Sequence, residues 1–207
     1  MNEYQRTLYA DLMNLVEDSE AFYYQDVELG DIRYRIFNYR LASYTEFMKP
    51  NALECRGHMF QIDGDDENAK MLRLASLPME KFFNLYENPS TMDLDLSSID
   101  LVEDKADGSL ISTYIHTSFS DDHSVLRLKS KGSLSSDQAI DAMGWLDGQP
   151  AYKRELKNLA SLGYTINMEW VAPHNRIVLP YEKAELRVLN IRNTVDGSYM
   201  DRNQLHD

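Results

Sequence analysis

One cysteine in 207 residues, Cys55, excludes an internal disulfide and a zinc cluster built on thiolates. No apolar run approaches the roughly 20 residues that span a bilayer. The N-terminus has no basic region leading into an apolar stretch, so neither a membrane helix nor a secretory signal is expected. Basic residues are scarce, with 21 Lys and Arg against 34 Asp and Glu and a formal net charge of −13. That balance argues against a general nucleic-acid coat, because non-specific affinity comes from neutralising phosphates with cations. It leaves room for a local basic cleft. The histidines (His58, His116, His123, His174 and His206) are scattered without metal-ligand spacing. Neither G-x-G-x-x-G nor a Walker loop is present, nor any repeat, linker or low-complexity stretch. A cytoplasmic location is expected.

A hydrophobic content of 43% and 13 tyrosines are enough for a folded core. The length favours one domain, with two small ones as the alternative. Tyr4, Leu8, Leu12 and Leu15 recur at helical spacing and predict an amphipathic helix over 3–17. Strands are expected over 32–40, 56–62 and 71–76, the last two joined by an acidic turn, Asp63-Gly64-Asp65-Asp66. Further strands are expected over 99–103, 109–115, 124–131, 164–171 and 184–192. Helices are expected from a cap at Ser135 or Ser136 to about 147, and over 151–162, where Gly163 supplies a left-handed terminus. The acidic stretches 63–67 and 93–104 read as solvated loops. Strands dominate, with helices inserted between hairpins, which is an α+β pattern.

Several residues can carry chemistry. Lys105-Ala106-Asp107-Gly108-Ser109 places a lysine ahead of a glycine turn and an apolar strand. A lysine held neutral there can act as a nucleophile, and the same tetrapeptide can equally be a hairpin turn between 99–103 and 109–115. In 164–171, Thr165, Asn167, Glu169 and Val171 share one face. Glu169 could accept from a ribose hydroxyl or help hold a metal ion; an exposed sheet face is the plainer account. Arg127, Lys129 and Lys131 form a basic strand face, suited to a phosphate-rich ligand or to an edge strand guarded by lysine. Arg56, before Gly57, can set a guanidinium on phosphate, or sit at a surface turn. Cys55 reads as a small buried residue, with pairing to His58 or His174 in a hydrolase as the alternative. Lys81 stands beside Phe82 and Phe83 and can reach phosphate.

Taken in order, these pieces resemble the covalent nucleotidyltransferases, and most closely the ATP-dependent RNA ligases of the T-even bacteriophage tRNA-repair type. The matching stretches are Tyr34-Arg35-Ile36-Phe37 with Tyr39, Ala42-Ser43-Tyr44, Leu53-Glu54-Cys55-Arg56-Gly57 and Pro78 to Leu85. They continue through Lys105 to Ser109, Lys129-Ser130-Lys131-Gly132-Ser133, Glu169 with Val171-Ala172-Pro173, and Asn175-Arg176-Ile177-Val178-Leu179. The resemblance implies an adenylyltransferase domain using ATP and Mg²⁺. Lys105 would take AMP as a phosphoramidate, the AMP would pass to an RNA 5′-phosphate, and a 3′-hydroxyl would seal the strand, nicked tRNA being one such substrate. Arg56, Lys81 and bound Mg²⁺ would favour the neutral amine. By matching position, Glu169 would contact the ribose, Tyr39 would line the ATP pocket and Arg56 and Lys81 would engage phosphates. Lys131 would belong to the catalytic set. The host cytoplasm during infection is the implied setting.

The family carries two further motifs, an E-G strand that assists the metal and a K-x-K strand that grips the α-phosphate. Residues 1–207 hold neither: their one K-x-K is Lys129-Ser130-Lys131, and Asp196-Gly197-Ser198-Tyr199 reads as a hairpin turn. The polar tail 201–207 resembles the ligases only loosely, and the C-terminal RNA-specificity domain has no counterpart. The 207 residues are therefore expected to form one partial adenylyltransferase domain. It would be a fragment, half of a split ligase completed by another segment or a second copy, or a non-catalytic module binding nucleotide or protein.

Overall fold

A computed structural model describes residues 2–65, 68–99, 101–120 and 123–201. Asp66, Glu67 and Asp100 of the acidic stretches, and 202–207 of the tail with His206, lie outside the described residues. The architecture is α+β, as expected, with two antiparallel four-stranded sheets and helices packed on their outer faces.

Helix α1 (Glu3–Asp18) begins where the Asn2 side chain accepts from the Gln5 amide. It buries Leu8, Leu12 and Leu15 against Phe22, Phe37, Phe60 and Leu74, each large side chain contributing about 1.5–3 kcal/mol. Those aromatics belong to the first sheet, ordered β1-β2-β3-β4: β1 (Phe22–Leu29), β2 (Ile32–Tyr39), β3 (His58–Asp63) and β4 (Lys70–Ser76). The short helix α2 (Tyr44–Phe47) lies between β2 and β3, and α3 (Pro89–Met92) lies in the crossover from β4 to the second sheet.

The second sheet, ordered β6-β5-β7-β8, contains β5 (Ser109–Thr117), β6 (Ser124–Ser130), β7 (Tyr164–Val171) and β8 (Glu185–Asn193). Helix α4 (Asp137–Asp147), capped by Ser136, and helix α5 (Pro150–Ser161) cover it through Ala142, Leu146 and Leu156 against Leu128, Ile166, Met168 and Trp170. Gly163 follows α5 at φ +91°, as its left-handed position requires. Between the sheets, Ile32, Tyr34, Ile36, Met59 and Ala75 meet Tyr114. Among the described residues no helix is long and apolar enough to cross a membrane.

Three expectations change. The sequence reading has no strand at 22–29, yet β1 is there. Only Phe22 is fully buried in it, so its hydrophobic alternation is faint, and pairing with β2 across Gly30 (φ +61°) defines it. No strand forms at Ile99 or 101–103; β5 pairs with β6 and β7, so the Lys105 stretch enters the sheet from a loop and is not a hairpin turn. The polar face of β7 is no exposed surface either. Thr165 accepts from the Leu77 amide, and Asn167 donates to Leu77 O and accepts from Ser112, so this face is the hydrogen-bonded seam between the sheets.

Candidate functional site

A cavity of about 550 Å³ opens along that seam. Arg56, Met79 and Phe82 line it from the first half of the chain, and Lys105, Glu169, Arg187 and Asn190 from the second.

Lys105 is exposed, at the end of the strandless stretch before β5. The residues just after it are tightly tied down. Asp107 accepts from the amides of Val178 and Leu179 at 2.5 and 2.7 Å, and the Asp107 amide donates to Tyr181 Oη at 2.9 Å. The Leu179 and Val178 N–H groups hold the Asp107 carboxyl below the usual carboxylate range. The Gly108 amide donates to Glu169 Oε1 at 3.0 Å. Asn175 bonds both Ser109 Oγ and Trp170 O. Residues 107–109, Glu169 and 175–179, far apart in the chain, are thus one hydrogen-bonded unit.

Glycine is required at 108 by space. A Cβ there would stand 2.1 Å from Trp170 O. Gly108→Ala is expected to push the start of β5 off β7, break the bond to Glu169 and cost roughly 1–3 kcal/mol. Urea denaturation reads this, and an unchanged midpoint would show that the strand can shift freely.

Glu169 is half-buried, and burial raises its carboxyl against the lowering influence of the Gly108 amide, Lys105 and Arg56. Arg56 donates to Met79 O at 3.3 Å and lies 5.6 Å above the Phe82 ring. Lys81 donates to Phe82 O at 2.7 Å and stands 4.4 Å from the Phe83 ring centre. Lys131 sits 4.2 Å over the Tyr39 ring, which packs edge-on against Phe47. Tyr39, Lys81 and Lys131 do not line the cavity. Lys131 nevertheless senses the other cations: burial first, then Arg56 and Lys81, lower its pKa.

The basic strand face comes apart. Arg127 is exposed, Lys131 lies beyond the end of β6, and Lys129 is fully buried, its Nζ donating to Gly57 O at 2.8 Å. Burial alone pushes the Lys129 ammonium down to about 7. Cys55 is buried as expected, its Sγ donating to Asn38 O, and burial pushes its thiol up to about 12, far from nucleophilic use.

Arg187 and Asn190 are cavity residues that the sequence did not single out. Arg187 lies opposite Glu169 on β8, paired with Glu185 and 4.9 Å over the Tyr181 ring. Asn190 accepts from Asn167 at 2.9 Å. Both sit on a strand whose alternation is legible, but which of its faces meets the cavity depends on the packing of the sheets. Chemically, the cavity lining offers guanidinium groups (Arg56, Arg187), carboxylates (Glu103, Asp104, Glu169) and the exposed amine of Lys105.

A family model described as RNA ligase matches residues 54–206, well over half of the chain. A protein of Thermovibrio ammonificans carrying the name "Putative RNA ligase" is 27% identical over 164 residues, covering 79% of this chain and 40% of that relative. The chain thus spans less than half the length of the relative it matches. The stretch from Glu54 onward that the family model covers contains Arg56, Lys105, Glu169 and β8, and on that match the chain belongs to the RNA ligase family.

Proposed function

We propose that the chain performs the adenylyltransferase chemistry of an ATP-dependent RNA ligase, with Lys105 as the residue that accepts AMP. The observation that supports this reading is the meeting of Lys105, Arg56 and Glu169, from three distant stretches, around one cavity. The neutral Lys105 amine attacks the α-phosphorus of ATP. A P–N bond forms, the bond to the bridging oxygen breaks, pyrophosphate leaves with the electron pair, and the nitrogen gives up a proton to solvent. Arg56 in the cavity lining meets the phosphates, and Lys81 and Lys131, outside the lining but near enough for Lys131 to respond to both Arg56 and Lys81, add charge that offsets the negative charge building on the leaving oxygens. Glu169 accepts from a ribose hydroxyl.

Among the described residues no group of three or more His, Cys, Asp or Glu is placed to hold a metal ion. Mg²⁺ does not need such a cage, because it commonly shares one or two carboxylates with substrate phosphates. Glu103 and Asp104 line the cavity and are the carboxylates that would share the ion with the phosphates. When bound there, Mg²⁺ supplies neutralisation of phosphate charge. In the later steps AMP passes to an RNA 5′-phosphate, and a 3′-hydroxyl displaces it; the ends of a nicked tRNA are the substrate that the resemblance implies.

Residues 1–207 carry neither an E-G strand nor a second K-x-K strand. The isolated chain is therefore expected to label slowly and substoichiometrically with α-labelled ATP and Mg²⁺ on a denaturing gel, with pyrophosphate removing the label. Rapid stoichiometric labelling would overturn the dependence on further strands. Label on another residue would overturn the nucleophile, and no label at all would make the dependence on further strands complete.

A further inference from the structure

We propose that Lys129 is a positioning residue whose buried amine pins the Arg56–Gly57 turn of the first sheet to the Lys131–Gly132 turn beyond β6, fixing the spacing of Arg56 and Lys131. The inference rests on the reading of those two cations as phosphate ligands.

Lys129 has no exposed surface and does not line the cavity. Its Nζ donates to Gly57 O at 2.8 Å and lies 3.5 Å from Lys131 O. The junction is crowded. Gly57 has φ +91°, and a Cβ on it would stand 2.5 Å from Lys131 O. The Gly57 amide donates to Phe37 O, and Asn38 Nδ2 donates to Lys131 O at 3.2 Å. Two carbonyl oxygens from the turns flanking β3 and β6 therefore converge on one place, and their dipoles repel unless a donor stands between them. The side chains on the two turns add to the strain on the junction, because Arg56 and Lys131 carry like charge and Lys131 responds to it. Burying an ammonium is costly, and a methionine of similar length would fill the volume without that cost. What methionine cannot supply is the donor. Its loss would let the turns separate and the two cations drift from a common ligand.

The chain holds its own reporter. Cys55, its only cysteine, is fully buried on the same turn, with Sγ donating to Asn38 O at 3.2 Å. The test compares Lys129→Met with the parent chain in thermal denaturation, in the rate at which Cys55 reacts with dithionitrobenzoate, and in ATP labelling of Lys105. Lys129→Met is expected to keep its melting temperature within a few degrees, to react at Cys55 at least about tenfold faster, and to lose at least about tenfold in labelling rate. If Lys129→Met does not fold, Asn38→Ala removes the other donor to Lys131 O and is expected to accelerate Cys55 in the same way. A thiol rate equal to the parent's overturns the proposal whatever the labelling shows. A faster thiol reaction with undiminished labelling also overturns it, since the junction would then hold the fold without placing the cations. A parent chain that takes no label bears on the nucleotide reading alone, and the thiol rates still decide the junction.

Discussion

Lys105→Ala is expected to remove all covalent AMP from the chain, leaving labelled ATP bound only reversibly and lost on denaturing electrophoresis. The size of the effect comes from the chemistry. A phosphoramidate needs the amine itself, and the other lysines near the cavity are otherwise engaged: Lys81 against Phe82 O and the Phe83 ring, Lys131 over Tyr39, Lys129 buried on Gly57 O. Lys105→Arg keeps the charge but not a nucleophile that can become neutral, and is expected to be equally inert. The fold should be indifferent to both changes, because Lys105 is exposed and the bonds that shape the stretch come from Asp107, Gly108 and Ser109. Thermal denaturation checks that point. Label persisting in Lys105→Ala would assign the chemistry elsewhere.

Arg192→Met is expected to produce the largest loss of stability. Arg192 on β8 reaches across to Glu54 with both guanidinium ends, at 2.7 and 2.9 Å, and also donates to Pro78 O and Gly197 O. Burial works against the charge on Glu54, yet His58 and Arg192 beside it hold its carboxyl down at about 2. His58 stands 2.7 Å from Glu54 and burial lowers its pKa, whereas the Arg192 guanidinium keeps its charge at every pH, so Arg192 is the partner to remove. Removing one member of such a pair strands a buried charge and costs about 3–5 kcal/mol. For a chain of this size that is a fall in melting temperature of roughly 6–20 °C. The pH dependence has a definite sign. A carboxyl lowered from 4.5 to about 2 gives stability that is full above 4.5 and fades as pH falls toward 2. The gap between parent and Arg192→Met should therefore be widest above pH 4.5 and narrow in acid. A gap that is constant with pH would show that the pair acts only by packing.

Long periodic segments were legible in the sequence. Leucines at helical spacing place α1, and β7 has the bounds that its alternation predicts. Gly163 marks the end of α5 because few other residues adopt its backbone angle. The site was legible as a series of stretches, and the contacts of Asp107 and Gly108 with 169–181 bring several of them together. What stayed hidden depends on the second layer. A strand face reads the same whether water or another sheet covers it, so the seam formed by Thr165 and Asn167 looked like surface. Lys129 looked like one member of a basic face, since nothing local announces that a carbonyl from 72 residues away will receive its ammonium. Arg187 enters the cavity only because β8 lies beside β7.

The bonds that shape the Lys105 stretch run forward in the chain. Asp107 waits for Val178, Leu179 and Tyr181, which lie 71, 72 and 74 residues later. Such distant contacts form late, after the chain has closed a long loop. During synthesis at about 5–20 residues per second, the polypeptide bears Lys105 for several seconds before the residues that arrange its surroundings exist. The lysine proposed as nucleophile is thus made early and its surroundings are assembled late, so a nascent chain would carry Lys105 without the geometry that the proposed chemistry needs.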